Sequence, residues 1–207
     1  MALKPSMSPY LIIGERQAPN TLEMFWDYVC PYSAKSANAM ETILKPLLES
    51  KYPNKVKVIF RPQPQPWHSS STLVHEAGLA VSKVAPNAFW QYSLALFKAQ
   101  DQFYDVPAST MTPSQIREKL ADLGKTSGTL SDQEVEAVKQ ALVLNTKDGA
   151  RNGGVSVTDD LKFCIKYSRQ NSIHVSPTVL WNGLVANEVS SSWGEKEWDA
   201  FLEPKVE

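Results

Sequence analysis

One cysteine at the junction between an apolar run and a helix constrains this chain more than any other feature. The run Leu22–Val29 has the length and the apolar, aromatic composition of a buried strand. Cys30 and Pro31 follow it directly, and apolar residues then keep helical spacing from Pro31 to about Ser50. Proline suits the first turn of a helix because the N–H that it lacks has no partner there. The sequence therefore predicts a strand that passes into a helix, with a thiol at the junction.

A second strand is predicted at Lys55–Arg61, where apolar and polar side chains alternate. The next segment, Pro62–His68, contains alternating prolines and is expected to be an extended loop, because proline cannot continue a central strand. Two parallel strands joined through a helix end at the same edge of their sheet. We therefore expect Trp67 and His68 to lie near Cys30. There His68 would act as a base, pair with the thiolate or bind a substrate carboxylate; a surface histidine beside a tryptophan lid is the alternative.

The middle of the chain is predicted to be helical. Residues 72–147 have helical periodicity throughout, and capping boxes begin at Thr112 and Ser131. After a glycine-containing break, a further helix is expected from an N-cap at Thr158 to about Gln170. These features indicate a helical block inserted behind the second strand.

A short hairpin and a last helix are predicted to follow. Asn182-Gly183 is a strong turn signal between strands at Thr178–Trp181 and Leu184–Ala186, and the last helix should end near Leu202. We expect three parts: an extended N-terminal arm at residues 1–20, an α/β domain formed by residues 21–68 and 151–203, and an inserted helical subdomain at residues 69–150.

Two short motifs carry a resemblance to a known family. Cys30-Pro31-Tyr32-Ser33 and Ser176-Pro177-Thr178 flank the helical block, and in this order the chain resembles the DsbA-like branch of the thioredoxin superfamily over roughly residues 20–203. The resemblance implies an α/β thioredoxin-like fold with a helical insertion. It also implies a cis Pro177 against the reactive cysteine, and a loop that presents the backbone of Ser176 to an extended substrate.

The kappa-class glutathione transferases and related isomerases share this layout. They have a serine at the position of Cys30, within an aromatic-x-Asp-x-x-Ser-Pro pattern that Phe25–Ser33 otherwise matches. Dithiol members of the redox branch instead have a second cysteine where this chain has Ser33. Cys30 therefore cannot form a disulfide within its own motif.

A cysteine at a helix start is favoured as a thiolate by free backbone N–H groups and the helix dipole, so Cys30 is expected to be nucleophilic. Ser33 is expected to donate a hydrogen bond to that thiolate. A single thiolate can attack a disulfide, but an external thiol such as glutathione must then resolve the mixed disulfide. Cys164 lies on the apolar face of a predicted helix and is expected to be a core residue.

Three functions remain open from the sequence: a monothiol oxidoreductase, a kappa-class-like glutathione transferase or isomerase, and a binding protein without catalysis. The expected catalytic residues are Cys30, Ser33 and His68. The expected substrate-binding residues are Pro31, Tyr32, Trp67, Ser176 and Pro177. Glutathione or a protein disulfide is the expected partner, with no tightly bound cofactor.

Composition narrows the remaining classes. The formal net charge of −1 gives no reason to expect a nucleic acid or an anionic membrane as partner. Two cysteines are too few for a disulfide framework, which favours a reducing, cytoplasmic location. The three histidines and two cysteines lack the spacing of a zinc site, so no metal is expected. A monomer and a homodimer both remain compatible with the sequence.

Overall fold

The computed structural model describes residues 3–206 and contains a mixed five-stranded sheet. The strands lie in the order β1-β3-β2-β4-β5. Their bounds are β1 Leu11–Ile13, β2 Asn20–Trp26, β3 Val56–Pro62, β4 Thr178–Trp181 and β5 Leu184–Val185. Strands β2 and β3 are parallel, whereas the other neighbouring pairs are antiparallel. The parallel pair places the loops that follow β2 and β3 at one edge of the sheet.

The α-helices surround this sheet and continue into a helical block between β3 and β4. Their bounds are α1 Pro31–Ala39, α2 Lys45–Lys51, α3 Ser71–Val84, α4 Phe89–Lys98, α5 Asp105–Ala108, α6 Pro113–Thr126, α7 Asp132–Ala141, α8 Thr158–Gln170 and α9 Glu195–Leu202. Helix α3 packs against α4, α6, α7 and α8 and so joins the block to the sheet. The thioredoxin-like fold with a helical insertion is thus confirmed.

Strand β2 is the centre of the core because it pairs with a strand on each side and both of its faces are covered. All of its residues except Asn20 are buried, and its one charged side chain, Glu23, pairs with the buried Arg61 of β3 at 2.7 Å. Trp26 packs on Phe60 of β3 and on Phe97 of α4, with ring centroids 5.4 and 6.0 Å apart. This aromatic cluster fixes the end of β2, where the candidate site begins.

The N-terminal segment differs from the extended arm that the prolines suggest. Within the described residues, Pro5–Tyr10 forms a 3₁₀ helix and Leu11–Ile13 pairs with β3. Tyr10 is buried against Phe60 and Phe89, and this packing holds the segment on the core. The first two residues of the expected arm lie outside the described part of the chain.

Two of the predicted helices differ in their details from those of the structure. The predicted helix 31–50 contains a π-helical segment, Met40–Leu44, immediately before α2, where Pro46 lies in the first turn. Val157, not Thr158, is the N-cap of α8, and the Thr158 hydroxyl accepts a hydrogen bond from the Val155 N–H at 2.8 Å. Both capping boxes, at Thr112 and Ser131, are confirmed. Across residues 3–206, no helix is both long and apolar enough to span a bilayer.

Candidate active site

Cys30 is the N-cap residue of α1, at the point where the chain leaves the buried end of β2. Its N–H donates to the Asp27 carbonyl at 3.0 Å, and its carbonyl accepts from the Ala34 N–H at 3.1 Å. Pro31 occupies the first helical position, as the sequence predicts. Cys30 is 5% exposed, so its sulfur lies in a recess at the helix start. The positive end of α1 is therefore directed at a thiol that the backbone holds in place.

The loop before β4 closes on this thiol. The Ser176–Pro177 peptide bond is cis, and the Cys30 Sγ lies 3.5 Å from the Ser176 carbonyl oxygen. With its side-chain amide oriented to satisfy its neighbours, Gln65 accepts a hydrogen bond from the Ser176 N–H at 2.9 Å. Both main-chain polar groups of Ser176 therefore have partners within the protein, and presentation of this backbone to an extended substrate stays a prediction.

A buried carboxylate, Asp27, lies directly behind Cys30 and is completely inaccessible. Its hydrogen-bond partners come from three segments of chain: the Val29 N–H and Ser71 hydroxyl on Oδ1 at 3.2 and 2.8 Å, and the Gln65 N–H and His68 Nδ1 on Oδ2 at 3.2 and 2.7 Å. The Nε2 of His75, also fully buried, lies 3.3 Å from Oδ1 without hydrogen-bond alignment.

These contacts decide the charge of Asp27. Burial by itself would raise the pKa of Asp27, but the contacts with His75, His68 and Ser71 outweigh it and hold the pKa below its ordinary value. An ionised carboxylate only accepts hydrogen bonds, so Nδ1 of His68 carries a proton. The Nε2 of a neutral His68 is then left as an acceptor.

His68 is near the thiol but does not contact it. Its side chain is partly exposed and lines an open groove of about 380 Å³ with Val29, Pro31 and the segment 103–107. No hydrogen bond joins His68 to Cys30 in the described residues; its partner is Asp27. His68 therefore lies at the edge of the sheet where the parallel strands β2 and β3 end, as the sequence predicts.

Ser33 has a different role from the one expected. Its side chain is fully buried, and its Oγ accepts a hydrogen bond from the Asp27 N–H at 3.2 Å. Within residues 3–206 it makes no hydrogen bond to Cys30, so the expected donation to the thiolate is wrong. The side chain points back toward the end of β2, where it ties the first turn of α1 to the loop that carries Cys30.

The rim of the site is apolar and exposed. Tyr32 is 67% exposed and Trp67 is 57% exposed, which excludes Trp67 as a buried lid. The Trp67 ring lies edge-on to the His68 ring, with centroids 6.1 Å apart. Val106, which lines the groove, and Val175, next to Ser176, are also exposed. Exposed aromatic and aliphatic side chains around a concave site are typical of surfaces that bind another molecule.

With this geometry established, comparison with known proteins is decisive for the family. A family model described as Thioredoxin matches residues 7–203, almost the whole chain. The chain belongs to the thioredoxin family. A search of curated proteins finds no significant match. The family assignment therefore rests on the family model that matches residues 7–203.

Among solved structures, this thioredoxin-family protein is similar to a candidate protein-disulfide isomerase from Pseudomonas syringae. The two share 26% identity with a TM-score of 0.72, over 93% of this chain and 97% of the other. MdbA, a thiol-disulfide oxidoreductase from Corynebacterium diphtheriae, has 18% identity and a TM-score of 0.60, with 90% and 86% of the two chains covered. BdbD from Bacillus subtilis has 21% identity and a TM-score of 0.59, with 97% and 92% covered. At these last two identities the likeness shows the fold alone.

The second thiol of this thioredoxin-family protein, Cys164, is a core residue. It is buried in α8, and burial, with a smaller contribution from Asp160, raises its pKa to about 12. Both cysteines are free thiols. Cys164 is therefore inert near neutral pH, which leaves Cys30 as the nucleophile to consider.

Two residues of the site escaped the sequence interpretation as candidates. Asp27 stood only within the aromatic-x-Asp pattern, and Gln65 only within the proline-rich loop. The sequence does contain a signal for Asp27, because an ionisable residue within an apolar run, three residues before the cysteine, needs partners if it is buried. Gln65 gave no such signal, since its partner Ser176 is remote in sequence.

Proposed function

We propose that this thioredoxin-family protein is a monothiol thiol-disulfide oxidoreductase with Cys30 as its nucleophile. The observation that carries the proposal is the position of the Cys30 sulfur, at the N-terminus of α1 and 3.5 Å from the Ser176 carbonyl before the cis proline. Ser33 occupies the place of a second motif cysteine, and Cys164 is buried elsewhere. A reaction that uses one protein thiol and one external thiol is the chemistry that this arrangement supports.

The proposed reaction has two exchange steps. The Cys30 thiolate attacks one sulfur of a substrate disulfide; a Cys30–substrate disulfide forms, and the other sulfur leaves as a thiolate. Glutathione thiolate then attacks the mixed disulfide, so that Cys30 is released as a thiolate and the substrate leaves as a glutathione disulfide. Each step makes one S–S bond and breaks one, so no further oxidant or reductant is needed.

His68 is proposed as the base for the incoming thiol. Its Nδ1 is held by the ionised Asp27 at 2.7 Å, and its Nε2 is the nitrogen left to accept a proton. His68 lines the groove beside Pro31, the residue that follows Cys30, so this nitrogen is proposed to take the proton of the thiol that reaches Cys30. Asp27 would then stabilise the imidazolium without itself being protonated.

The surrounding surface supports a polypeptide or peptide disulfide as substrate. Tyr32, in the first turn of α1, and Trp67, in the loop after β3, present exposed aromatic surface, and the Ser176 carbonyl before Pro177 lies 3.5 Å from the sulfur. Aromatic side chains contribute large contact areas with little loss of conformational entropy.

The test combines intact mass with a disulfide-reduction assay. Wild-type protein treated with glutathione disulfide should gain one glutathione on Cys30, and Cys30→Ser should abolish glutathione-dependent reduction of hydroxyethyl disulfide. Cys164→Ser is the matched control and should keep both properties. If Cys30→Ser retains conjugation of glutathione to an electrophile, the kappa-class-like alternative replaces this proposal. If wild-type protein shows neither adduct nor turnover, the site is a non-catalytic binding site.

A further inference from the structure

A second pocket, of about 370 Å³, lies between the proline-rich loop and the end of α8. It is distinct in its lining from the groove that contains His68. The residues around it are Gln63, Pro64, Gln65, Pro66, Trp67 and Thr72 on one side, and Ile165, Ser168, Arg169, Ile173 and His174 on the other. Its volume is within the range of sites for small molecules.

The charge of this pocket is one-sided. Arg169 and His174 line it, whereas no aspartate or glutamate does. Arg169 is exposed and forms no ion pair with any residue between 3 and 206. A cation in the last turn of a helix complements the helix dipole, which accounts for a basic residue there. The helix dipole does not explain why Arg169 has no acidic partner across the pocket.

Gln63, on the other side of the pocket, has a buried polar atom without a partner in the described residues. Its side chain is 6% exposed, and its Nε2 donates to the Ile173 carbonyl at 3.4 Å. Its Oε1 is buried and has no hydrogen-bond partner in the described part of the chain. Leaving a buried acceptor unpaired is unfavourable, and a ligand N–H would remove that cost. The pocket therefore offers a cation for an anionic group, and in its wall a buried acceptor that becomes available to an amide N–H when the Gln63 side chain turns.

The pocket is connected to the reacting sulfur through two residues. Gln65 lines it and accepts from the Ser176 N–H at 2.9 Å, while the Ser176 carbonyl lies 3.5 Å from the Cys30 Sγ. His174, on the same loop, also lines the pocket. Gln65 and Ser176 are thus the residues that join a ligand held here to the Cys30 sulfur.

We propose that this pocket binds the second thiol of the reaction, a small peptide thiol with a free carboxylate. This inference rests on the proposed function. Arg169 binds the carboxylate, the Gln63 Oε1 accepts an amide N–H, and Trp67 packs on the aliphatic part of the ligand. The ligand thiolate then attacks the Cys30 mixed disulfide; the new S–S bond joins it to the substrate sulfur, and the Cys30 thiolate leaves.

The test compares glutathione with ethanethiol, a thiol without carboxylate or amide, in hydroxyethyl disulfide reduction, followed by the 2-mercaptoethanol released. Arg169→Gln and Gln63→Leu should each raise the KM for glutathione about tenfold, the loss expected for one hydrogen bond to a charged or buried group. The rate with ethanethiol should stay within about twofold of wild type. Lys166→Gln is the matched control, since it removes an exposed charge from the same helix outside the pocket.

Binding without chemistry separates this inference from the proposed function. S-methylglutathione titrated into Cys30→Ser by calorimetry should bind, and Arg169→Gln in the same background should weaken it. If Cys30 reacts but both pocket variants keep the wild-type KM for glutathione, the pocket inference is overturned and the function stands. If Cys30 does not react but S-methylglutathione binds through Arg169, the function falls and the pocket stands. Absence of binding in the Cys30→Ser titration counts against the pocket.

Discussion

The Asp27 carboxylate lies 2.7 Å from Nδ1 of His68, while the Asp27 carbonyl accepts from the Cys30 N–H at 3.0 Å. One residue therefore positions both the nucleophile and the candidate base. The carboxylate does so from complete burial, where an ionised group is stable only if its hydrogen bonds are complete.

Asp27→Asn should impair both stability and exchange. The amide cannot accept at both of its polar atoms, so we expect a loss of about 3 kcal/mol in the free energy of unfolding, because breaking one side of a buried charge network is costly. Glutathione-dependent turnover should fall at least tenfold, because His68 loses its fixed tautomer. Urea unfolding and the hydroxyethyl disulfide assay measure the two effects. Asp159→Asn, at an exposed carboxylate that pairs with Lys162 away from the site, is the control; equal losses in both variants would contradict the assignment.

Stability should depend on acid pH through Asp27. Its pKa is held below the ordinary value by His75, His68 and Ser71 against the effect of burial. The stabilisation is therefore complete above the unfolded carboxyl pKa of about 3.9, and it is lost as the pH falls through the lower folded pKa. Urea midpoints measured between pH 6 and pH 2 should fall less steeply for Asp27→Asn than for wild type below about pH 4. Parallel curves would show that Asp27 does not titrate as described.

Ser33→Ala should act on stability and not on thiol reactivity. The variant leaves the buried Asp27 N–H without its acceptor at 3.2 Å, which should cost about 1–2 kcal/mol in unfolding free energy. The rate of Cys30 alkylation should change less than threefold, because the hydroxyl does not contact the sulfur. A large fall in alkylation rate without a change in stability would restore the hydrogen bond to the thiolate that the sequence suggested.

Alkylation should separate the two cysteines. The pKa of Cys164 is raised to about 12 by burial, so only about one in ten thousand of these thiols is ionised at pH 8. Iodoacetamide should modify Cys30 in the native protein and both residues in denaturant, as read by peptide mapping. Preferential modification of Cys164 in the native state would overturn the assignment of Cys30 as nucleophile.

Trp67→Ala and Tyr32→Ala should weaken binding of a protein substrate that contains a disulfide, while leaving the fold intact. Both rings are largely exposed, so unfolding midpoints should change little. Loss of an aromatic contact at a binding site should raise the KM for a protein disulfide about tenfold. Leu184→Ala on β5 is the matched control, since Leu184 is 77% exposed but belongs to the far edge of the sheet. An equal effect from Leu184→Ala would argue for nonspecific apolar binding.

The elements that the sequence could predict are those set by local pattern. The strand ending at Cys30, the helix beginning at Pro31 and the parallel partner that brings His68 to the same edge all follow from periodicity and proline chemistry. Side-chain direction did not follow. Whether Ser33 faces the thiol or the end of β2 is decided by the packing of the first turn, and a motif read in one dimension does not contain that information.

Long-range partners account for the other differences. The short strand β1 depends on its register with β3, because its three apolar residues favour a strand but are too few to predict one. Likewise, Gln65 gains its position from Ser176, which is remote along the chain. Contacts of this kind become visible only when the fold is known.

The double attachment of Gln65 has a consequence for how substrates enter. Its main-chain N–H holds Asp27, and its side chain occupies the Ser176 N–H that an extended polypeptide would need. A substrate strand that pairs with Ser176 must therefore compete with the protein's own glutamine. The main-chain N–H of Gln65 also donates to the Asp27 carboxylate, so a movement of Gln65 would change the hydrogen bonding of the carboxylate that holds His68.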